Sequence, residues 1–215
     1  MAFPKPQSDP EDVSILVDGD PSAGLSGVAA AVAAVTGSDS GSGKSFKWWS
    51  EFELSMGLDS YSAAGFSAPF DPDRREFRDA FRPFSYRTVQ VKIGGELMFT
   101  GRMMDIEPDV DAKSQSVQVT AYALPDWLSD NTPPSDLLPL EFNKLDIGQI
   151  AKRLTEPFGF GVEFATPLGT SFDKAKCEKD QSIQDFLVEL AKQRGLVLSD
   201  TPAGDLLFRR SAVTG

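Results

Sequence analysis

The 215-residue sequence has no histidine and one cysteine, and its charge is one-sided, with 21 Lys and Arg against 32 Asp and Glu. Each shortage excludes something. Without imidazole there is no Ser-His-Asp or Cys-His triad, no histidine-ligated zinc and no imidazole proton shuttle. Cys177 alone can form neither an intrachain disulfide nor a thiolate metal cluster, so the fold must stand on packing. A net charge of -11 argues against nonspecific DNA binding, which needs clustered Lys and Arg to neutralise phosphates. An acidic surface that DNA slides past remains compatible with it. Long apolar runs are also missing. The stretch from Val28 to Val35 is mostly alanine and far shorter than the ~20 residues of a spanning helix. The proline-rich, acidic start from Met1 to Asp12 does not read as a signal peptide, which would place a basic region ahead of an apolar stretch.

What remains is 40% hydrophobic and 25% charged, a globular composition with length for about one to two domains. Residues 1–10 read as a flexible N-terminal arm. Val13, Ile15 and Val17 alternate with polar neighbours as a short strand does. Residues 22–44 read as an insertion, a small-residue stretch followed by a Gly/Ser linker. From Ser45 a period of two sets in, with Phe46, Trp48, Phe52, Leu54 and Met56 on one face and Lys47, Glu51, Glu53 and Ser55 on the other. Trp49 falls on the polar face. Val89, Val91 and Ile93 lead into Gly94-Gly95, which supply the positive φ of a two-residue hairpin. Val117, Val119 and Ala121 mark a further strand. Successive short strands without a long helix between them indicate an antiparallel β-barrel over residues 11–128.

Beyond Leu124 the pattern changes to a small two-helix α/β domain, residues 129–215. Ile147, Ile150, Ala151 and Leu154 follow helical spacing behind a capping box of Asp146 and Gln149. Ile183, Phe186, Leu187, Leu190 and Ala191 form a second helix behind Ser182. Leu196–Leu198 and Asp205–Arg209 form a hairpin around Pro202-Ala203-Gly204.

Motifs for chemistry fail on spacing or context. Gly43-Lys44-Ser45 ends a phosphate-loop-like run, but the required first glycine is displaced to Gly37 and a strand follows rather than a helix. Asp109-Val-Asp111 and Asp71-Pro-Asp73 lack the glycine and distal glutamate of a calcium loop, and read as turns. Carboxylate pairs such as Glu51 and Glu53 leave open a carbohydrate-binding or wall-degrading module, the alternative reading. No catalytic, metal or cofactor residue is assigned, and none of these groups is expected.

One segment departs from the acidic trend. Arg74, Arg75, Arg78, Arg82 and Arg87 are interleaved with Phe77, Phe81, Pro83 and Phe84. Arginine and aromatic side chains are enriched at protein interfaces. The expected interface is therefore Arg74, Arg75, Arg78, Phe81, Arg82 and Phe84, with Trp49. The plainer reading is a solvated loop whose arginines pair with Glu76 and Asp79.

In order and spacing, these features resemble the baseplate hub proteins of contractile-tailed bacteriophages, the Mu-like and late-control-D group related to the base of type VI secretion spikes. The residues carrying the resemblance are Trp49–Phe52, Tyr61–Phe66, Val89–Gly101, Val117–Tyr122 with Asp126–Asp130, Ile147–Phe158, Gln181–Arg194 and Gly204–Phe208. The resemblance implies a tail-tube-like barrel in a homotrimeric, non-enzymatic hub in the virion tail, assembled in the host cytoplasm. It also implies contacts with tail tube, spike and other baseplate proteins, with DNA passing through the bore unbound, and no membrane partner. Family members continue into a second barrel, so the expectation is a split or truncated hub, or a tail protein with a single barrel.

Overall fold

The computed structural model describes residues 13–17, 44–46, 49–111, 115–137 and 139–210. The N-terminal arm, residues 22–43 of the insertion, and Lys47 and Trp48 lie outside them. The chain divides into two compact units, residues 1–55 with 63–122, and residues 56–62 with 123–215.

The first unit is one seven-stranded antiparallel sheet. Its strands are β1 (Val13–Val17), β2 (Lys44–Phe46), β3 (Glu51–Ser55), β4 (Ala63–Pro69), β5 (Thr88–Ile93), β6 (Glu96–Val110) and β7 (Gln115–Ala123). They lie in the order β2-β1-β5-β6-β7-β4-β3. Only residues 47–50 join the two outermost strands, so five Cα steps limit their separation to about 18 Å. A flat sheet would put them about 29 Å apart, six strand spacings. The sheet is accordingly curled into a half-barrel.

This corrects one detail of the sequence reading. The alternating run from Ser45 to Met56 is two strands on opposite edges of the curled sheet, not one. Period two is a property of each strand separately, so the residue pattern by itself does not mark where one ends and the other begins. Its last apolar member, Met56, is 58% exposed and does not join the inward face.

The β5–β6 turn forms as its glycines require, with φ of 60° at Gly94 and 84° at Gly95. The inward face is read directly from the period of two. Ile15 pairs with Val91 and Val89 with Gly101, while Phe66 pairs with Val119 and Ala64 with Ala121. Ile15, Val89, Val91, Phe99 and Val117 are fully buried. A short helix, α1 (Arg75–Ala80), follows β4. Through Phe81, 6.5 Å from Phe66 between ring centres, the segment packs on this core.

In the second unit β8 (Glu141–Leu145) pairs with β10 (Phe172–Lys176), and β9 (Val162–Phe164) runs parallel to β12 (Leu206–Arg209) beside β11 (Val197–Asp200). Helices α2 (Ile147–Thr155) and α3 (Ile183–Gln193) supply the apolar stripes. The capping box of α2 is complete: Gln149 N–H donates to Asp146 Oδ1 at 2.8 Å, and Asp146 N–H donates to Gln149 Oε1 at 3.1 Å. Asp185 N–H donates to Ser182 Oγ at 3.0 Å and starts α3. Phe208 is fully buried with its ring 5.8 Å from that of Phe164. Gly148 leaves room for Phe164, because a Cβ there would stand 2.7 Å from the ring edge.

Two substitutions separate packing from capping. Phe208→Ala should cost about 3–5 kcal/mol in urea unfolding of the intact chain, by leaving a cavity. Asp146→Ala should cost about 1 kcal/mol. Equal losses would mean that Phe208 is not the packing centre the structure shows.

Candidate functional site

The arginine–aromatic segment is a continuous surface in the first unit, with one internal exception. Arg74 Nε lies 3.3 Å from Asp71 Oδ2, and Arg75 Nε lies 3.3 Å from Asp79 Oδ2. Arg78 donates to the Pro72 carbonyl. All three side chains, like that of Arg82, are exposed. Exposed pairs of this kind contribute only about 0–1 kcal/mol, so the guanidinium groups can exchange these partners at little cost. Phe84 is 83% exposed and sits at φ 59°, with Tyr86 close behind at φ 46°. Left-handed backbone at residues other than glycine costs about 1–2 kcal/mol each, here with a phenyl ring held in solvent.

Phe81 is the exception. It is 3% exposed and contacts Phe66 and Phe77, so its ring serves the core of the subunit and cannot be offered to a neighbour. Interleaving by sequence conceals this, because α1 turns Phe77 and Phe81, four residues apart, to one side. Trp49 is half-buried, with its ring 5.8 Å from Phe52, and its indole N–H is buried without a hydrogen-bond partner.

The polar faces of β3, β4 and β7 line a shallow groove of about 380 Å³ that includes Glu51, Glu53, Ser67, Gln118 and Thr120 around Gly65. Nothing lies within 4 Å of the Cβ position at Gly65. On β6, Asp105, Glu107 and Asp109 recur at every second position and are exposed. No group of three or more Cys, Asp and Glu among the described residues is arranged to hold a metal ion. Among them, too, no helix is long and apolar enough to cross a membrane.

A second polar cluster, inside the C-terminal unit, had no counterpart in the sequence analysis. Ser62 donates to Asp200 Oδ1 twice, from its backbone N–H at 2.8 Å and from its hydroxyl at 3.0 Å. Arg209 Nη2 donates to the carbonyls of Gly57 and Leu58 at 2.9 and 3.0 Å. The segment 56–62, which local pattern shows only as a turn between strands, is thus tied to β11 and β12. Burial raises the Asp200 carboxyl above its ordinary pKa, although the Ser62 bonds and Arg209 pull the other way. Burial also raises Asp126, with Asp130 adding to the effect. The Tyr61 hydroxyl is pushed up by burial and then by Asp126 and Asp200. The buried Cys177 thiol is pushed up to about 11, chiefly by burial, which leaves little thiolate at neutral pH.

Comparison with known proteins now bears on both units. Residues 130–210 match the family model of the baseplate hub protein gp44-like second domain. The 43 kDa tail protein of prophage MuSo2 from Shewanella oneidensis superposes with a TM-score of 0.70 at 22% identity, over 93% of this chain and 56% of that one. The fold is that of phage tail proteins. A tail protein from Neisseria meningitidis MC58 gives a TM-score of 0.66 at 18% identity, over 92% of this chain and 50% of that one. The prophage tail protein gp18 from Listeria monocytogenes EGD-e gives 0.55 at 12% identity, over 95% and 52%. The chain therefore spans about half the length of these structures. No curated protein sequence matches it. The family match lies in the stretch where Ile147–Phe158, Gln181–Arg194 and Gly204–Phe208 carry the baseplate-hub resemblance.

The raised carboxyls of this phage-tail fold have a consequence for stability. A carboxyl whose pKa is higher in the folded chain binds its proton more tightly there. Its contribution is full below the unfolded value of about 3.9 and is lost as pH rises through the raised value. No side-chain hydrogen bond caps the turn at Asp126. Asp126→Asn should therefore raise the melting temperature at pH 7, with the gain shrinking towards pH 4. A lower melting temperature for the variant at pH 7 would contradict the assignment.

Proposed function

We propose that the protein is a structural component of a phage tail baseplate hub, which adapts the tail tube to the central spike and forms part of the wall of the DNA channel. The observation that carries this reading is the match of residues 130–210 to a baseplate hub domain, within a chain whose fold follows prophage tail proteins over more than nine-tenths of its length. No catalytic residue is assigned. Its site of action on this reading is the virion tail baseplate, after assembly in the host cytoplasm.

The surface chemistry supports the role. Exposed carboxylates on β3 and β6, in a chain of net charge -11, repel phosphates, so DNA can pass along such a wall without sticking. A curled sheet with two outer strands suits a subunit that completes a ring with neighbours, and closed rings of one chain are built from heterologous contacts. In the homotrimer proposed here Arg74, Arg75, Arg78, Arg82 and Phe84 supply a contact to an adjacent subunit, and Trp49 is a further candidate at the β3 edge.

Replacing Arg78 and Arg82 together by Glu tests the contact. The variant should keep the circular dichroism and melting temperature of the parent. It should lose the trimers or rings seen by light scattering and electron microscopy, alone or with tail tube and spike proteins. Normal assembly of the variant would return the segment to a solvated surface. A parent protein that stays monomeric with every tail partner would overturn the hub reading itself.

A further inference from the structure

A contact made by the arginine segment needs a receiving surface on the neighbouring copy, and the curled sheet carries a suitable one on its outer face. Phe81 packs on Phe66, which β4 turns into the core. Gly65 and Ser67, one position to either side, lie on the opposite face, as the period of two requires. Cross-strand pairing extends that face into two rows, Glu53–Gly65–Thr120 and Glu51–Ser67–Gln118. These rows line the groove of about 380 Å³. At its centre Gly65 leaves the backbone bare. Its φ lies outside the left-handed region and a Cβ there would meet nothing within 4 Å, so neither the local conformation nor packing inside the subunit calls for glycine. A strand glycine with no such internal reason suits a close approach by another chain.

Charge and shape narrow the occupant. Glu51 and Glu53 are exposed and have no ion-pair partner among the described residues. They call for a cation, and the bare strip at Gly65 calls for a flat apolar group, since aromatic rings laid over strand glycines cover such backbone. Exposed cations are present in both units, among them Lys144, Lys152, Arg153, Lys174 and Lys179 in the second. An exposed aromatic ring is rarer: among the described residues it is found at Phe84, 83% exposed, and at Tyr86. Both follow closely on Arg82, which is exposed and has neither an ion pair nor a hydrogen bond among the described residues. Free cation and free ring therefore occur together in this one segment.

We propose that Phe84 of one copy lies over Gly65 of the next, with the Arg82 guanidinium on Glu51 and Glu53, where a planar fork and carboxylates form charge-assisted hydrogen bonds. Arg78, four residues earlier, adds to the charge presented. The segment packs on the inner face through Phe81, whereas the groove is on the outer face. The joined surfaces differ, so the contact is head-to-tail and repeats from copy to copy, as a closed ring requires. It takes up the β3 carboxylates and leaves the exposed row of Asp105, Glu107 and Asp109 on β6 for the channel wall. The inference rests on reading the arginine segment as a contact between copies, and adds the surface that receives it.

The test uses the full chain, with assembly read by light scattering and electron microscopy, alone and with tail tube and spike proteins. Gly65→Phe fills the groove with the subunit's own ring. It should keep the circular dichroism and melting temperature of the parent and lose assembly. Phe84→Ala should weaken association by about tenfold or more, the loss typical of an aromatic anchor. Glu51→Arg with Glu53→Arg, both at exposed positions, should lose assembly as well. Adding Arg78→Glu and Arg82→Glu to that same chain should restore it. Parental assembly of a folded Gly65→Phe chain would overturn the docking. Should that variant fail to fold, the charge exchange decides: normal assembly of the Glu51→Arg, Glu53→Arg chain, or no recovery in the fourfold variant, would overturn it. Loss of assembly in Arg78→Glu, Arg82→Glu alone, without loss in Glu51→Arg, Glu53→Arg, would keep the arginine contact and reject this receiver. A parent that never assembles would instead overturn the reading on which the inference rests.

Discussion

The C-terminal unit depends on a half-buried carboxylate, Asp200, and on the arginine at the far end of the neighbouring strand. β11 and β12 run antiparallel with Asp200 opposite Leu206 and Val197 opposite Arg209. The two charged residues therefore stand at opposite ends of one short hairpin. Asp200 holds Ser62 and Arg209 holds Gly57 and Leu58, so both ends of segment 56–62 are fixed along that hairpin. Burial pushes the Asp200 carboxyl up, and the two Ser62 bonds, its own backbone N–H and Arg209 offset part of that. The outcome is that segment 56–62 is held by residues that lie more than a hundred positions away in the chain.

Charge on the rest of the surface is mixed, with an excess of acid. The acid excess is spread over exposed strand positions, with Glu51 and Glu53 on β3 and Asp105, Glu107 and Asp109 on β6. The exposed arginines Arg74, Arg75, Arg78 and Arg82 cluster in one short helix and its two flanks. Exposed cations also occur in the C-terminal unit, among them Lys144, Lys152, Arg153, Lys174 and Lys179, so the arginine cluster is one cationic stretch among several. The left-handed backbone at Phe84 and Tyr86 lies just after this cluster.

Much of this was legible from residue order. Period two located β1, β5 and β7, the diglycine set the β5–β6 turn, and Asp146 and Ser182 marked the helix starts to the residue. These signals are local: each rests on groups within about four positions of one another. The arginine surface was legible in part. Its charges are exposed, as their clustering suggests, but Phe81 is buried, because a six-residue helix that composition did not reveal turns it inward. The short strands β8, β9 and β10 also escaped notice. With three to five residues each, they carry too little alternation to stand out from loop.

The sequence by itself determined the alternating faces, the caps, the turns and the absence of imidazole and disulfide chemistry. All of these depend on residue type and near-neighbour spacing. Tertiary structure alone decided that Lys44–Phe46 and Glu51–Ser55 lie on opposite edges of one curled sheet. It alone decided that Ser62 meets Asp200 across 138 positions. The reason is physical. A strand pairs with whatever partner chain closure brings to its edge, and a buried carboxylate bonds to whatever donor the packing delivers. Neither event leaves a period or a motif in the residues that take part.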